Sequence, residues 1–268
     1  MLHADETPVK CLQSNKATNY FWQVRTSQAS ETPIVYLRFD QSRSGQVIKD
    51  LLHGFRGFLH CDGYEVYSNL PNVLSARCFA HVRRKFFEAC NSHGQSQGLA
   101  HQAMVYIDQL FRWEREWQAS RLSPAQLLEH RQTIALPLWQ EFLKWIQSHH
   151  FLQQSKLGKA VAYTLKYAED LSRVFYHPEL SLDNNLAERS IRPIAIGRKN
   201  WLFSTSLEGA ESNAMIYSLI ETAKANGLNP QRYITYLLTH LPNEPALKTG
   251  NLEAYLPWSP IIQAQCHE

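Results

Sequence analysis

One carboxylate, Glu188, stands among four cations in the stretch LDNNLAERSIRPIAIGRKNWLF, residues 182 to 203: Arg189, Arg192, Arg198 and Lys199. The amides Asn184 and Asn185 and the acid Asp183 come just before it. A carboxylate held among cations and amides suits a site that grips both a divalent metal and a phosphodiester. The metal needs hard anionic oxygen, and the phosphate needs basic side chains nearby. Two acidic positions far upstream extend the set, Asp5 in LHADETPVKCL and Asp62 in GFLHCDGYEVY. A second basic knot gathers Arg77, Arg83, Arg84 and Lys85, with His81 among them.

Each of these residues also has a plainer reading. With Asn185 as N-cap, Glu188 falls at N3, the position of a capping-box glutamate. Asp62-Gly63 is a common turn pair. Asp5 can be an ordinary polar residue at a strand edge, with Glu6 beside it as a rival ligand. Asp183 can stand in for Glu188. Arg192, four residues on, can simply pair with Glu188, and a basic knot taken singly is often only a solvated face.

The elements that must position these residues are legible from periodicity. In LHADETPVKCL, His3, Asp5, Thr7, Val9 and Cys11 share one face of a strand. NYFWQVRT and PIVYLRF are rich in β-branched and aromatic residues and bounded by turn formers, which predicts an antiparallel meander. SGQVIKDLLHGF has helical spacing, GFLHCDGY reads as a fourth strand ending at Asp62-Gly63, and VLSARCF as a fifth. A basic helix follows from about Ala80 to Cys90. Helical stripes come next: Tyr106, Leu110, Trp113 and Trp117; Leu138, Phe142 and Trp145; Leu157, Val161, Leu165 and Ala168. These aromatics read as core, Trp201 and Phe203 likewise. Ser123-Pro124 signals a helix start and Pro137 a break or kink. Asn226-Gly227 ends the next long helix, and Asn229-Pro230 opens a last amphipathic one through Tyr233, Leu237 and Leu238.

The bulk numbers bound the answer. The 268 residues are 44% hydrophobic and 19% charged, a folded chain of one or two domains. A net charge of +3 is too small to imply a nucleic-acid partner without the local clustering. Five cysteines without a CxxC pair imply no disulfide framework. Cys78 and His81 have CxxH spacing without a second half-site, so structural zinc is not expected, and Cys78 and Cys90 read as packing residues. No run approaches the ~18 apolar residues of a membrane span. MLHADETP lacks the basic and apolar run of a signal peptide, so a reducing, cytoplasmic location is expected.

Three blocks together resemble the transposases of the insertion sequence 66 family: HADETPVK, DGYEVYSNL with ARCFAHVRRKFFEA, and NNLAERSIRPIAIGRKNWLFSTSLEGAESNAMIYSLIETAKANGLNPQRYITYLL. The closing YLPWSP is similar to that family's ending. The resemblance implies an α/β, RNase H-like mixed sheet flanked by helices, with an all-helical insertion between the second and third catalytic carboxylates. It implies a first part of the catalytic core at 1–95, the insertion at 96–178, the rest of the core at 179–242 and a tail at 243–268. It also implies a DDE triad of Asp5, Asp62 and Glu188 that holds Mg²⁺, with Mn²⁺ able to substitute. The activity implied is metal-dependent phosphodiester hydrolysis and strand transfer at insertion-sequence ends. His81, Arg83, Arg84, Arg189, Arg192, Arg198 and Lys199 are the expected DNA contacts. Double-stranded DNA, further copies of the chain and accessory transposition proteins are the expected partners, with no membrane role.

One departure stands out. Members of that family carry a substantial region ahead of the first catalytic Asp, including DNA-end-binding and zinc-binding segments, whereas here Met1 lies four residues before Asp5. The expectation is therefore an N-terminally truncated transposase. Its alternative is an inactive remnant that only binds DNA or transposase subunits.

Overall fold

The computed structural model describes residues 1–27, 29–90, 98–244 and 252–267. The chain is α/β and falls into two compact units, one built from Leu2–Gly54 and Asn185–Glu268, the other chiefly from Phe55–Asn184.

The first unit is founded on the meander. Strands β1 (Leu2–Val9), β2 (Asn19–Thr26) and β3 (Val35–Asp40) pair antiparallel in sequence order. Register sets Asp5 opposite Gln23, and Gln23 opposite Leu37. The predicted face holds: His3, Thr7, Val9 and Cys11 are all buried. A short helix α1 (Gly45–Leu51) follows β3. After the second unit, the chain returns as α8 (Asn185–Trp201), which packs on β1 and β2, and α9 (Leu207–Ala225), which packs along β3. Val9, Phe21, Val35, Leu37 and Phe39 meet Ile191, Ile194, Ala210 and Ala214 in one core.

Because β3 is the outer strand of the meander, its free edge would expose backbone donors and acceptors. Helix α9 covers it with hydroxyls. Thr222 Oγ1 accepts from the Val35 amide and donates to the Val35 carbonyl, each at 3.0 Å, and Ser218 Oγ accepts from the Leu37 amide at 2.8 Å. Helix α9 ends at Asn226 with Gly227 at φ +72°, the left-handed stop the sequence predicts. Asn229 then caps α10 (Pro230–His240), which packs with α11 (Pro260–Cys266) through Tyr233, Leu237, Ile262 and Cys266. Leu238, expected on that apolar face, is instead 70% exposed. It directly follows Leu237, so the 100° turn per residue carries it off the buried stripe.

The second unit begins with a parallel pair, β4 (Gly57–Cys61) and β5 (Val73–Arg77), joined through a single 3₁₀ turn at Glu65–Tyr67. Helix α2 (Phe79–Cys90) is the predicted basic helix, and it buries Phe79, Val82, Phe86 and Ala89. Helices α3 (Leu99–Ala119), α4 (Pro124–His130), α5 (Leu136–Ser148), α6 (Lys156–Lys166) and α7 (Ala168–Ser172) complete the unit. The expected start of the helical insertion, at 95/96, and part of the expected tail, 245–251, lie outside the described residues.

Pro137 does not break the chain's helical path. A π-helical turn, Arg131–Ala135, joins α4 to α5, with helical dihedrals at both flanks. The wider turn makes room for a ring that would otherwise strike the carbonyl four residues back. The buried stripe here is Ala135, Trp139, Phe142 and Ile146, one residue displaced from the predicted one for Trp139 and Ile146. In α6 the inward face is Gly158, Ala160, Val161 and Thr164, while Leu165 is exposed. The helix start lies close against the preceding turn, where a Cβ on Gly158 would come within 2.1 Å of the Leu152 carbonyl oxygen.

Candidate functional site

The three expected acids are divided between the units: Asp5 and Glu188 belong to the first and Asp62 to the second.

In the first unit, Asp5 lies in the middle of β1, half-buried, and its Oδ1 accepts from the Glu6 amide at 2.9 Å. Glu6, the rival ligand, points to the opposite face because side chains alternate along a strand. Its Oε1 accepts from Arg43, from Nε at 3.0 Å and also from Nη2. Next to Asp5 on β2, Gln23 is fully buried and donates from Nε2 to the Ala187 carbonyl at 3.0 Å. Arg25, two residues along β2 on the same face, donates to the Leu186 carbonyl at 3.1 Å and to Ser190 Oγ. Two side chains of one strand thus pin the first turn of α8, and Glu188 is the next residue after the pinned carbonyls. Burial pushes the Arg25 guanidinium below its ordinary value, against the opposing charge of Glu221 and with the like charge of Arg189.

Helix α8 begins at Asn185 itself, which sets Glu188 one position beyond that of a capping-box glutamate. Glu188 Oε1 is buried and has no hydrogen-bond partner among the described residues. A buried anionic oxygen without a donor is costly unless a cation covers it. Ala187, Ser190, Ile191 and Ile194 face inward, while Arg189, Arg192 and Lys199 are exposed. Arg198 is half-buried and tied to β1, donating to Thr7 Oγ1 at 2.7 Å and to the Pro8 carbonyl. Trp201 packs partly against the core, but Phe203, expected inside, is 41% exposed. The helix has ended at Trp201, and Leu202 adopts φ +61°, which turns the chain outward.

In the second unit, Asp62 follows the last residue of β4. Its Oδ1 accepts from the Tyr64 amide at 2.8 Å, so the turn reading of Asp62-Gly63 is realised as an Asx turn. Arg77 ends β5 beside Cys61 in register. In sequence it belongs to the basic knot; it is in fact buried, and one of its donors serves the Asp62 turn. Nη1 reaches the Asp62 carbonyl and, at 3.4 Å, Cys61 Sγ; Nη2 reaches Ser68 Oγ at 2.6 Å and Nε reaches Asp170 at 3.3 Å. The guanidinium also lies 4.6 Å from the centre of the Tyr167 ring.

The rest of that knot is on α2. Arg83 is exposed and paired with Asp108 at 2.6 Å, Arg84 is exposed, and His81 is half-buried in the first turn. His81 and Cys78 bring a ring nitrogen and a thiol within 4.8 Å of each other. The Cys78 thiol accepts from the Asn184 amide at 3.2 Å. Sequence reasoning missed Gln23 and Arg25, and gave Arg77 only a place in the basic knot. Gln23 and Arg25 lie on the β2 face shared with Phe21, where polar residues in a buried pattern were the available signal.

The chain is thus an α/β protein with a strand meander and a large helical region, and comparison with known proteins shows its family. Residues 1–212 match the transposase IS66 family and residues 218–258 match the IS66 C-terminal element. The chain belongs to the IS66 transposase family. It is similar to the uncharacterized protein y4qI of Sinorhizobium fredii (strain NBRC 101917 / NGR234), with 30% identity covering 96% of this chain and 50% of that protein. Uncharacterized protein y4hP of the same strain is 27% identical, again over 96% of this chain and 50% of the relative. The chain thus spans about half the length of these curated relatives. No solved structure matches it. Among the described residues, no helix is long and apolar enough to cross a membrane.

Proposed function

We propose that this chain carries the catalytic part of a DDE-type transposase, with Asp5, Asp62 and Glu188 as its metal-holding triad and an RNase H-like arrangement of its strands. The observation that carries the reading is Glu188: an anionic oxygen buried without a hydrogen-bond donor, on a helix turn anchored by Gln23 and Arg25, in a chain of transposase sequence. Three carboxylates form the all-oxygen donor set that Mg²⁺ and Mn²⁺ take, with positions left for water and phosphate. Bound divalent ions would supply Lewis-acid stabilisation of the attacking and leaving oxygens in an in-line displacement, first by water and then by a 3′-hydroxyl.

The chain's own residues supply the rest. Asp62 is presented by the Asx turn at the end of β4, Asp5 by the middle of β1, and Glu188 by the pinned turn of α8. Arg84, Arg189, Arg192 and Lys199 are exposed cations suited to backbone phosphates of double-stranded DNA. Arg83 and Arg198, which also hold local structure, and His81 complete the proposed DNA contacts. Further copies of the chain and accessory proteins would bring element ends together, in the cytoplasm.

The test is nicking or strand transfer on a labelled element end with Mg²⁺ or Mn²⁺, comparing the wild type with Asp62→Ala and Glu188→Ala. Both substitutions are expected to abolish cleavage. Cleavage unchanged in both overturns the catalytic reading, and salt-sensitive DNA binding without any cleavage supports the inactive remnant.

A further inference from the structure

We propose that Arg77 and Tyr167 are positioning residues for Asp62, so that the helical region around α6 and α7 is part of the metal-holding apparatus; this rests on the catalytic reading above. Two successive main-chain carbonyls of the Asp62 turn are held from outside it. The Asp62 carbonyl accepts from Arg77, and the Gly63 carbonyl accepts from the Tyr167 hydroxyl at 3.0 Å. With Asp62 Oδ1 also bonded to the Tyr64 amide, the chain from Asp62 to Tyr64 is held at three points, and the direction of the carboxylate follows.

The clamp is built into the helices. Arg77 is itself oriented by Asp170 of α7, by Ser68 and by the Tyr167 ring. A tyrosine hydroxyl has one proton to give. Tyr167 lies within reach of both Gly63 O and Glu65 Oε2, the latter at 3.2 Å, and Lys166 Nζ already serves Glu65 at 2.6 Å. That ion pair leaves the hydroxyl proton for the Gly63 carbonyl. On the other side, the hydroxyl end of the Tyr163 ring lies against Gly63: a Cβ there would come within 2.3 Å of it. A side chain at this position would have to displace that ring.

Outer contacts of this kind tune metal affinity by holding a ligand in its binding geometry. Tyr167→Phe keeps the ring over Arg77 and removes only the hydroxyl; Arg77→Lys keeps the charge and removes the fork. The readouts on the full chain are Mn²⁺ affinity by calorimetry, hydrogen exchange at the Gly63 and Tyr64 amides, and the thermal midpoint. Tyr167→Phe is expected to weaken Mn²⁺ binding roughly tenfold and to speed exchange at both amides, with cleavage recovered at high Mn²⁺. Arg77→Lys should do the same more strongly; if it fails to fold, Tyr167→Phe decides alone. A merely structural role would lower the midpoint and leave affinity, measured well below it, unchanged. Unchanged affinity in Tyr167→Phe, where Asp62→Asn loses it, overturns this inference and leaves the catalytic reading intact. Unchanged affinity in Asp62→Asn removes the catalytic reading itself.

Discussion

Gln23 and Ala187 are joined across 164 residues of chain by a buried hydrogen bond of 3.0 Å, from the side-chain amide of one to the main-chain carbonyl of the other. Since Asp5 is the register partner of Gln23, and Glu188 follows Ala187, this bond ties the strand paired with that of one expected ligand to the helix of another. Gln23→Leu keeps the volume and removes the donor. It should cost about 1 kcal/mol of stability, read as a lower urea midpoint with unchanged slope. Cleavage should fall further than that loss of stability explains, because the first turn of α8 is freed to rotate.

Arg131 and Glu114 make a buried pair in the second unit, with Nε 3.1 Å from Oε2. Arg131 also donates to the Val174 and His177 carbonyls at 3.1 and 3.2 Å. Arg131→Met strands a buried carboxylate and should cost about 3–5 kcal/mol. The double variant Glu114→Leu with Arg131→Met should recover most of that loss, since an apolar pair leaves no buried charge. Denaturant unfolding of the wild type, Arg131→Met, Glu114→Leu and the double variant gives the coupling.

The Glu65–Lys166 pair titrates at the edge of the Asp62 turn. A hydrogen bond from Lys166, reinforced by its charge, holds the Glu65 carboxyl below its ordinary value, and the Lys166 ammonium is correspondingly raised by Glu65. For a carboxyl with a depressed folded value, the stabilisation is present above the unfolded value and is lost as pH falls through the folded one. Carboxyl NMR should therefore find Glu65 titrating below a reference glutamate. Lys166→Met should return it to the ordinary range and remove its part of the acid sensitivity. An unshifted Glu65 in the wild type defeats the pairing.

Much of this arrangement is legible in the residue pattern, and the misses have causes. Alternation placed Asp5 on a buried strand face because period-2 spacing is set by local pleat geometry. Ser123-Pro124 and Asn229-Pro230 marked helix starts because capping is a contact within three residues, realised at Ser123 with Gln126 and at Asn229 with Arg232. Pro137 signalled a break or a kink; the helical path continues instead of breaking, through a π-helical turn that depends on the packing of its neighbours. Phe203 misled because hydrophobicity alone does not say that the chain has already turned outward at Leu202.

By itself the sequence determined most strands and helices and the family, and it supplied the three acids proposed as ligands, since those follow from neighbours along the chain and from motif. Tertiary structure alone decided which charges are buried and what they hold. Arg77 belongs to a basic run in one dimension and to the Asp62 turn in three, because parallel pairing of β4 with β5 brings Cys61 and Arg77 to the same end. Gln23 gains its purpose only when α8 returns from far along the chain, where a buried amide must find a partner.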